Sequence, residues 1–234
     1  MPISSSGHLV IFQDLFGIRS SGILLEVVLH FGTLVAILFY YYRDIISLSE
    51  SIIIRSSKDR KYFIYLLIGI LPAVIIGYLF KDKIDILFKI ELVSITLFVT
   101  GCFLFITRFY DSNQQIDLRT ALIIGLFQVL ALLPGISRSG ITISTAIIFG
   151  VDRKFATKFS FFMAIPMLIG ALILQIPELT KLDAQTYIHL ILGFFASFVS
   201  GYFVIKWLIK LISKNHFWKF SIYCWLLSVI TYLF

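Results

Sequence analysis

The stretch Pro134-Gly135-Ile136-Ser137-Arg138-Ser139-Gly140-Ile141-Thr142, called loop 2 below, places an arginine and three hydroxyl side chains inside apolar sequence. The flanking residues, 121–133 and 143–149, are predominantly apolar. A charged side chain at such a position is costly in lipid and normally faces a protein-lined cavity. Loop 2 therefore indicates a polar site inside a membrane protein.

A second polar segment at the start of the chain, Pro2-Ile3-Ser4-Ser5-Ser6-Gly7-His8, repeats this pattern and is called loop 1 below. Aligning Gly7 with Gly140 matches the three serines of loop 1 with Ser137, Arg138 and Ser139 in turn. Two copies of one polar loop in an apolar chain indicate that both serve the same site.

The composition is that of an integral helical membrane protein. The chain has 234 residues, of which 59% are hydrophobic and 14% charged, and its mean hydropathy is +0.97. The net charge of +7 comes from lysines and arginines in short segments between apolar runs, as the positive-inside bias predicts, and no basic block suggests nucleic-acid binding. The two cysteines, Cys102 and Cys224, have no metal-ligand spacing and imply no disulfide framework.

Apolar runs of about twenty residues predict five membrane-spanning helices. They cover residues 24–42, 62–80, 90–109, 155–176 and 187–212, and a shorter run at 217–234 is a sixth candidate. Residues 121–150 are broken by loop 2 and predict two half-helices that meet inside the membrane, where only protein or water can surround such backbone. Residues 1–16 resemble the second half of a similar pair. The expected fold is an all-α polytopic bundle.

The positions of the basic residues favour a re-entrant second loop. Residues 43–61 contain five Lys and Arg and are best placed in the cytoplasm. If residues 121–150 return to the side they came from, the later basic segments also fall inside. Loop 1 is then reached from outside and loop 2 from inside. We expect one membrane domain built of two inverted repeats, 1–110 and 111–234, the first N-terminally incomplete.

The side chains of the two loops suit a phosphate group. The first N–H groups of a helix lack partners and bind anions, and an arginine can hold two phosphate oxygens at once. His8 can transfer a proton near neutral pH, and a loop serine could be a nucleophile with His8 as its base. Further hydrogen bonds would come from Ser4, Ser5, Ser6, Ser137, Ser139 and Thr142.

Structural roles for the same residues remain open at this point. Each hydroxyl is about as well explained by a helix cap as by catalysis. Arg138 could be the counter-ion of a carboxylate, although none lies near it in sequence. Glu26 and His30, four residues apart, could pair on one helix face in a structural or substrate-lining role.

The two loops resemble the signature loops of the bacterial undecaprenyl pyrophosphate phosphatase family, also described as bacitracin-resistance proteins. The segments Glu26-Val-Val-Leu-His-Phe-Gly-Thr33, Gly125-Leu-Phe-Gln128 and Phe159-Ser-Phe-Phe-Met-Ala-Ile-Pro166 also fit, so the likeness covers nearly the whole chain. The last span departs from the pattern, because Cys224 follows Tyr223 where the family usually has arginine.

The resemblance implies hydrolysis of undecaprenyl pyrophosphate, which recycles the carrier lipid of peptidoglycan synthesis and gives bacitracin resistance. It implies a bacterial plasma membrane location, an outward-facing cleft and a divalent metal (Mg²⁺ or Ca²⁺), and a homodimer is one expected assembly. By position, the expected catalytic residues are Ser5, His8 and Arg138. The expected phosphate-binding residues are Ser4, Ser6, Ser137, Ser139, Gly140 and Thr142, and weaker substrate-lining candidates are Glu26, His30 and Gln128.

One feature of the family pattern is missing from this sequence. The resemblance implies a half-helix before loop 1 with two acidic or amide residues spaced by three, whereas this chain begins at Met1-Pro2. We therefore expect an incomplete N-terminus, and neither Asp14 nor Glu26 is a convincing substitute for these carboxylates. The alternatives are a polyprenyl-phosphate transporter or flippase, since broken helices in inverted repeats also build transporters, and an inactive truncated homologue.

Overall fold

The computed structural model describes residues 1–15, 22–53, 56–80, 89–111, 113–179 and 184–233. In these parts of the chain it contains ten α-helices. They are α1 (Ser5–Leu15), α2 (Gly22–Tyr40), α3 (Tyr42–Ile53), α4 (Ser57–Leu79), α5 (Ile90–Ile106), α6 (Leu118–Gln128), α7 (Arg138–Ile148), α8 (Arg153–Leu179), α9 (Ala184–Ser213) and α10 (Phe220–Leu233). The prediction of an all-α fold is confirmed.

Four of the five predicted membrane spans are confirmed. Four helical segments of the described chain are long and apolar enough to cross a membrane: Asp59–Leu79, Ile90–Phe109, Arg153–Leu174 and Tyr187–Ser213. A fifth span is possible if α2 and α3 count as one bent helix. The predicted sixth span forms a shorter apolar helix, Phe217–Leu233. The chain is therefore a multi-pass membrane protein.

The charged segment after α2, which the sequence predicted as a cytoplasmic loop, begins with a helix. Residues 42–53 form α3, which leaves α2 at an angle of 71°. The apolar residues of α3 recur at helical spacing, as in Ile45, Leu48 and Ile52, with serines and acidic residues between them. This amphipathic pattern stabilises a helix at an apolar boundary, which a count of charges does not detect.

Residues 118–148 form the predicted broken helix. Helix α6 tightens into a 3-10 turn at Val129–Leu132, and the backbone is extended at Leu133, as expected before a proline. Gly135 has a φ of +88°, and α7 begins three residues later. Helix α7 is buried at every position from Gly140 to Ile147, so protein surrounds it on all sides.

The chain folds into two compact units, each made of separate segments. Unit 1 contains Met1–Arg19, Tyr62–Ser160 and Leu208–Phe234. Unit 2 contains Ser20–Lys61 and Phe161–Trp207. Both polar loops belong to unit 1. In this unit, α1 packs on α5 through a buried cluster formed by Val10, Ile11, Val93 and Leu97.

In unit 1, α5 and α10 pack antiparallel. Ser94 and Ser228 form two reciprocal hydrogen bonds, in which each hydroxyl donates to the other residue's carbonyl at 2.9 and 2.7 Å. Later in α5, the ring of Phe105 lies 6.3 Å from that of Trp218, which precedes α10. Residues near the start of α5 therefore contact the end of α10, and residues near the end of α5 contact the start of α10, as in an antiparallel pair.

In unit 2, α2 and α9 pack in parallel through small residues. A Cβ on Gly32 would lie 2.5 Å from the Phe194 carbonyl, and a Cβ on Gly201 would lie 3.3 Å from Ala36. Thr33 and Ser197 share a hydrogen bond of 3.1 Å between their hydroxyls. Small residues and interhelical hydroxyl bonds are typical of close helix packing in membranes.

Candidate phosphate site at the two loops

Helix α5 holds the backbone of loop 2 through two threonines. Thr96 donates to the Pro134 carbonyl at 2.5 Å, and Thr100 donates to the Gly135 carbonyl at 3.1 Å. The Thr100 hydroxyl also accepts from the Ser137 N–H at 3.2 Å. These bonds satisfy backbone groups that lipid could not, and they fix the chain where α7 begins.

The helices that follow the two loops are capped in the same way. The Ser137 hydroxyl accepts from the Gly140 N–H at 3.1 Å, and the Ser4 hydroxyl accepts from the Gly7 N–H at 3.1 Å. Serine caps at matching positions were one of the open alternatives for these hydroxyls, and the structure confirms this role for Ser4 and Ser137.

The loops contact each other through equivalent residues. A Cβ built on Gly7 would lie 3.0 Å from the Gly135 Cα, and one built on Gly140 would lie 3.2 Å from the Pro2 carbonyl oxygen. In the alignment of the loops, Gly7 matches Gly140 and Pro2 matches Gly135. The contact that loop 1 makes with loop 2 and the contact that loop 2 makes with loop 1 thus use equivalent residues. Surfaces related by a two-fold axis show the same property. The boundaries of the repeats at residues 110 and 111 stay a prediction.

Arg138 is the first residue of α7 and is half-buried. Its Nη1 lies 3.4 Å from the Ser160 carbonyl, a long hydrogen bond. No carboxylate of the described residues forms an ion pair with it, so the counter-ion alternative gains no support there. Thr142, one turn later, shares a 2.6 Å hydrogen bond with the Ser160 hydroxyl and also donates to the Arg138 carbonyl.

His8 uses both ring nitrogens. Nδ1 lies 2.6 Å from the Ser4 carbonyl, and Nε2 lies 2.6 Å from the Tyr223 hydroxyl. The imidazole and phenol rings are parallel, with centroids 5.7 Å apart. His8 is thus bonded to both Ser4 and Tyr223, and its role as the base of a loop serine stays a prediction.

The remaining loop hydroxyls lie at the edge of the site. Ser5 is exposed and begins α1, and Ser6 shares a 3.2 Å hydrogen bond with Ser4. Ser139 is half-buried and donates to the Met1 carbonyl over 3.4 Å. The structure thus brings the predicted phosphate-binding residues of both loops together. The chemical role assigned to each of them stays a prediction.

Two of the three weaker candidates, Gln128 and His30, belong to different compact units. Gln128 is buried and donates to the Gly69 carbonyl on α4 at 3.3 Å, which is a helix-packing contact. His30 lies on α2 in unit 2 and is half-buried. The side chain of Glu26 lies outside the described residues. Their substrate-lining role stays a prediction.

Four residues that contact the loops were not predicted from the sequence as site residues: Thr96, Thr100, Ser160 and Tyr223. Thr96 and Thr100 are four residues apart in α5, so their hydroxyls lie on the same face of the helix. This spacing could have indicated from the sequence that α5 contacts a polar segment. Tyr223 lies far from loop 1 in sequence, and only the fold shows that it reaches His8.

The described residues around the loops do not offer a suitable set of ligands for a divalent metal. Mg²⁺ and Ca²⁺ take oxygen ligands with carboxylates among them. In the part of the chain that is described, no three His, Cys, Asp or Glu residues are grouped to hold a metal. The loops contribute hydroxyls, backbone groups, a guanidinium and an imidazole whose nitrogens are both engaged.

Comparisons with known proteins find similar sequences over nearly the whole chain. Residues 1–230 match the sequence profile of the family described as Bacitracin resistance protein BacA. An undecaprenyl-diphosphatase of Methanobrevibacter smithii is 32% identical over 253 aligned positions, which cover 100% of this chain and 91% of the relative. Those of Halothermothrix orenii and Bacillus thuringiensis are 37% and 38% identical; the alignments cover 98% and 100% of this chain and 90% and 92% of the relatives.

Proposed function

Because the chain belongs to the Bacitracin resistance protein BacA family, we propose that it is an undecaprenyl-diphosphatase. It hydrolyses undecaprenyl pyrophosphate to undecaprenyl phosphate and inorganic phosphate. This reaction recycles the carrier lipid for peptidoglycan synthesis and gives resistance to bacitracin. The observation that carries the proposal is the contact between two serine-capped helix starts, with Arg138 at the first residue of α7.

The site is suited to a pyrophosphate group. The starts of α1 and α7 present N–H groups and the positive ends of two helix dipoles, which together attract an anion. Arg138 has no competing carboxylate among the described residues, so its guanidinium is available for phosphate oxygens. The surrounding hydroxyls supply further donors, and burial of α7 keeps the interactions in a low-dielectric environment.

The residues present can stabilise the transition state of phosphoryl transfer. When the bond between the terminal phosphorus and the bridging oxygen breaks, negative charge is shared between the departing and the transferred groups. Arg138 and the helix N–H groups neutralise this charge. Water or the Ser5 hydroxyl attacks the phosphorus, and His8 receives the proton of the attacking group. Undecaprenyl phosphate is the leaving group. The transferred phosphoryl group becomes inorganic phosphate directly when water attacks, and when Ser5 attacks, a water must then hydrolyse the resulting phosphoserine.

The metal requirement is a proposal that rests on the family resemblance. Activity is expected to require Mg²⁺ or Ca²⁺, although the described residues do not provide its ligands. Chelation with EDTA followed by addition of each metal tests this. Restoration of phosphate release by either ion supports the requirement, and full activity in EDTA contradicts it.

The membrane side and the assembly state are also proposals. The five basic residues of 43–61 support a cytoplasmic location for that segment, and hence a cleft facing the outer side of a bacterial plasma membrane. A homodimer is the proposed assembly, and the mass of the protein–detergent complex measured by light scattering tests it.

Phosphate release from purified protein tests the function directly. The chain in detergent, supplied with a polyprenyl pyrophosphate and Mg²⁺ or Ca²⁺, is expected to release inorganic phosphate. Arg138→Ala should lower kcat/KM on the order of a hundredfold or more, since removal of one charge-stabilising donor costs roughly that much. Arg138→Lys should recover part of the loss because lysine keeps the charge without the two-pronged geometry.

Arg60→Ala is the matched control, because Arg60 is exposed and lies in unit 2. It should leave the rate unchanged. Binding of the pyrophosphate lipid without release would contradict the hydrolase and favour a transporter. Equal rates for wild-type protein and Arg138→Ala would contradict the role of loop 2.

A further inference from the structure

Ser160, Thr142 and Arg138 form a chain of hydrogen bonds that joins α7 to α8. A carbonyl can only accept, so the 2.8 Å bond to the Arg138 carbonyl uses the single hydrogen of the Thr142 hydroxyl. The 2.6 Å bond between the Thr142 and Ser160 hydroxyls must then use the hydrogen of Ser160. Ser160 therefore donates to Thr142, and Thr142 donates to the backbone of Arg138.

In this arrangement neither hydroxyl has a hydrogen left for a phosphate oxygen. Ionised phosphate oxygens only accept hydrogen bonds, so a group that binds them must donate. Both side chains are also almost completely buried, with 1% of each exposed. The geometry therefore connects Thr142 and Ser160 with Arg138 and not with an anion.

Ser160 also contacts the other end of Arg138, because its carbonyl accepts from Nη1 at 3.4 Å. Among the described residues this is the one hydrogen bond of the guanidinium, so its other N–H groups can meet phosphate oxygens. Arg138 is thus held at its backbone carbonyl, through Thr142, and at its guanidinium by a single residue of α8.

This double contact matters because an unrestrained arginine loses freedom when it binds. Its side chain is long, and fixing it costs conformational entropy. A guanidinium that is already oriented avoids that loss and can hold two oxygens of one phosphate. The bond from Ser160 to Thr142 sets the spacing of α7 and α8 at this level, and with it the position of the carbonyl that Nη1 contacts.

We propose that Ser160 is a positioning residue, which keeps the guanidinium of Arg138 oriented towards the pyrophosphate group. It acts through Thr142 and Arg138 and does not touch the substrate. The inference rests on the proposed function, because Arg138 is the side chain assigned there to the phosphate oxygens.

A double-mutant cycle with Arg138→Ala tests the proposal. In detergent, Ser160→Ala should lower kcat/KM for a polyprenyl pyrophosphate on the order of fivefold, equivalent to one hydrogen bond. The same change should have no further effect in Arg138→Ala, because the group that Ser160 positions is then absent. Thr142→Val should follow the same pattern, and Thr142→Ser, which keeps the hydroxyl, should retain most of the rate.

Thr157→Val is the matched control. Thr157 is equally buried on α8, and its hydroxyl bonds the Arg153 carbonyl of its own helix at 2.6 Å. This variant should leave kcat/KM unchanged. An equal loss in Thr157→Val, or the same loss from Ser160→Ala with and without Arg138, would overturn the proposal, since a purely structural defect acts independently of Arg138.

Binding of inorganic pyrophosphate, measured by isothermal titration calorimetry in detergent, separates this inference from the enzyme. Ser160→Ala should raise the Kd on the order of fivefold, again only when Arg138 is present. An unchanged Kd in Ser160→Ala would overturn the role of Ser160. Binding by wild-type protein without phosphate release would contradict the hydrolase and leave the test of Ser160 intact.

Discussion

Ser4 and Ser137 show how one hydroxyl can serve the fold and the site together. Each accepts an N–H of the first turn of its helix, yet a serine hydroxyl retains a hydrogen that it can donate. Capping and phosphate binding are therefore compatible at these two positions. The sequence left the two roles as alternatives because a cap and an anion site use the same residue types at the start of a helix.

Gly135 is the residue of loop 2 that least tolerates a side chain. Its φ is +88°, and a Cβ there would lie 2.9 Å from the Val93 carbonyl and closer still to the Thr96 hydroxyl. Gly135→Ala should therefore destabilise the protein by about 2 kcal/mol or more, from the left-handed backbone and loss of the Thr96 bond. Thermal unfolding in detergent measures this.

Gly170→Ala provides the comparison for that substitution. Gly170 lies inside α8, and a Cβ there would meet nothing within 4 Å. Alanine should raise stability there by up to about 1 kcal/mol, because it favours the helix. Equal melting temperatures for the two variants would show that loop 2 does not constrain the fold.

Among the helices, α5 supports most of the site. It contacts α1 through apolar residues, loop 2 through Thr96 and Thr100, and α10 through Ser94. Its sequence is almost uniformly apolar, and its hydroxyls lie on faces covered by protein. A helix of this kind is typical of the interior of a membrane bundle.

The sequence predicted the helices better than the contacts between them. Long apolar runs specify spans because the bilayer requires about twenty such residues, and loop 2 breaks its run by polarity alone. The bend between α2 and α3 and the bond between His8 and Tyr223 depend on tertiary packing. Residues 215 positions apart have no local pattern that links them.

The cap of α6 should make stability depend on pH in the acid range. Asp117 accepts from both the N–H and the hydroxyl of Thr120, and these bonds lower the pKa of its carboxyl below the usual value. The contribution is present above the pKa of the unfolded chain, about 4, and is lost as pH falls through the lower folded pKa.

Asp117→Asn should flatten this acid-range loss, because the amide oxygen still accepts but does not titrate there. Asp117→Ala should lower stability by about 1 kcal/mol at neutral pH, since it removes the cap. Melting temperatures measured from pH 7 downwards compare the three proteins. The same acid dependence in wild-type protein and Asp117→Asn would contradict the assignment.

At the scale of the whole molecule, the directions of the helices predict how residues 118–148 meet the membrane. In unit 1, α5 and α10 are antiparallel. If α8 and α9, which are long and apolar enough, each cross the membrane once, α5 must end on the side where α8 begins. We therefore expect residues 118–148 to enter and leave on one side.

Single cysteines placed at the ends of this region should therefore react from the same face of the membrane. Asn113 and Lys154 are both exposed and flank the broken helix, whereas Lys89 is exposed at the other end of α5. With Cys102 and Cys224 replaced by serine, Asn113→Cys and Lys154→Cys should be labelled by an impermeant maleimide from one side of sealed vesicles, and Lys89→Cys from the other. Labelling of positions 113 and 154 from opposite sides would mean that loop 2 lies in a full crossing. The repeats would then not be inverted, and the two helix starts could not approach one site from opposite faces.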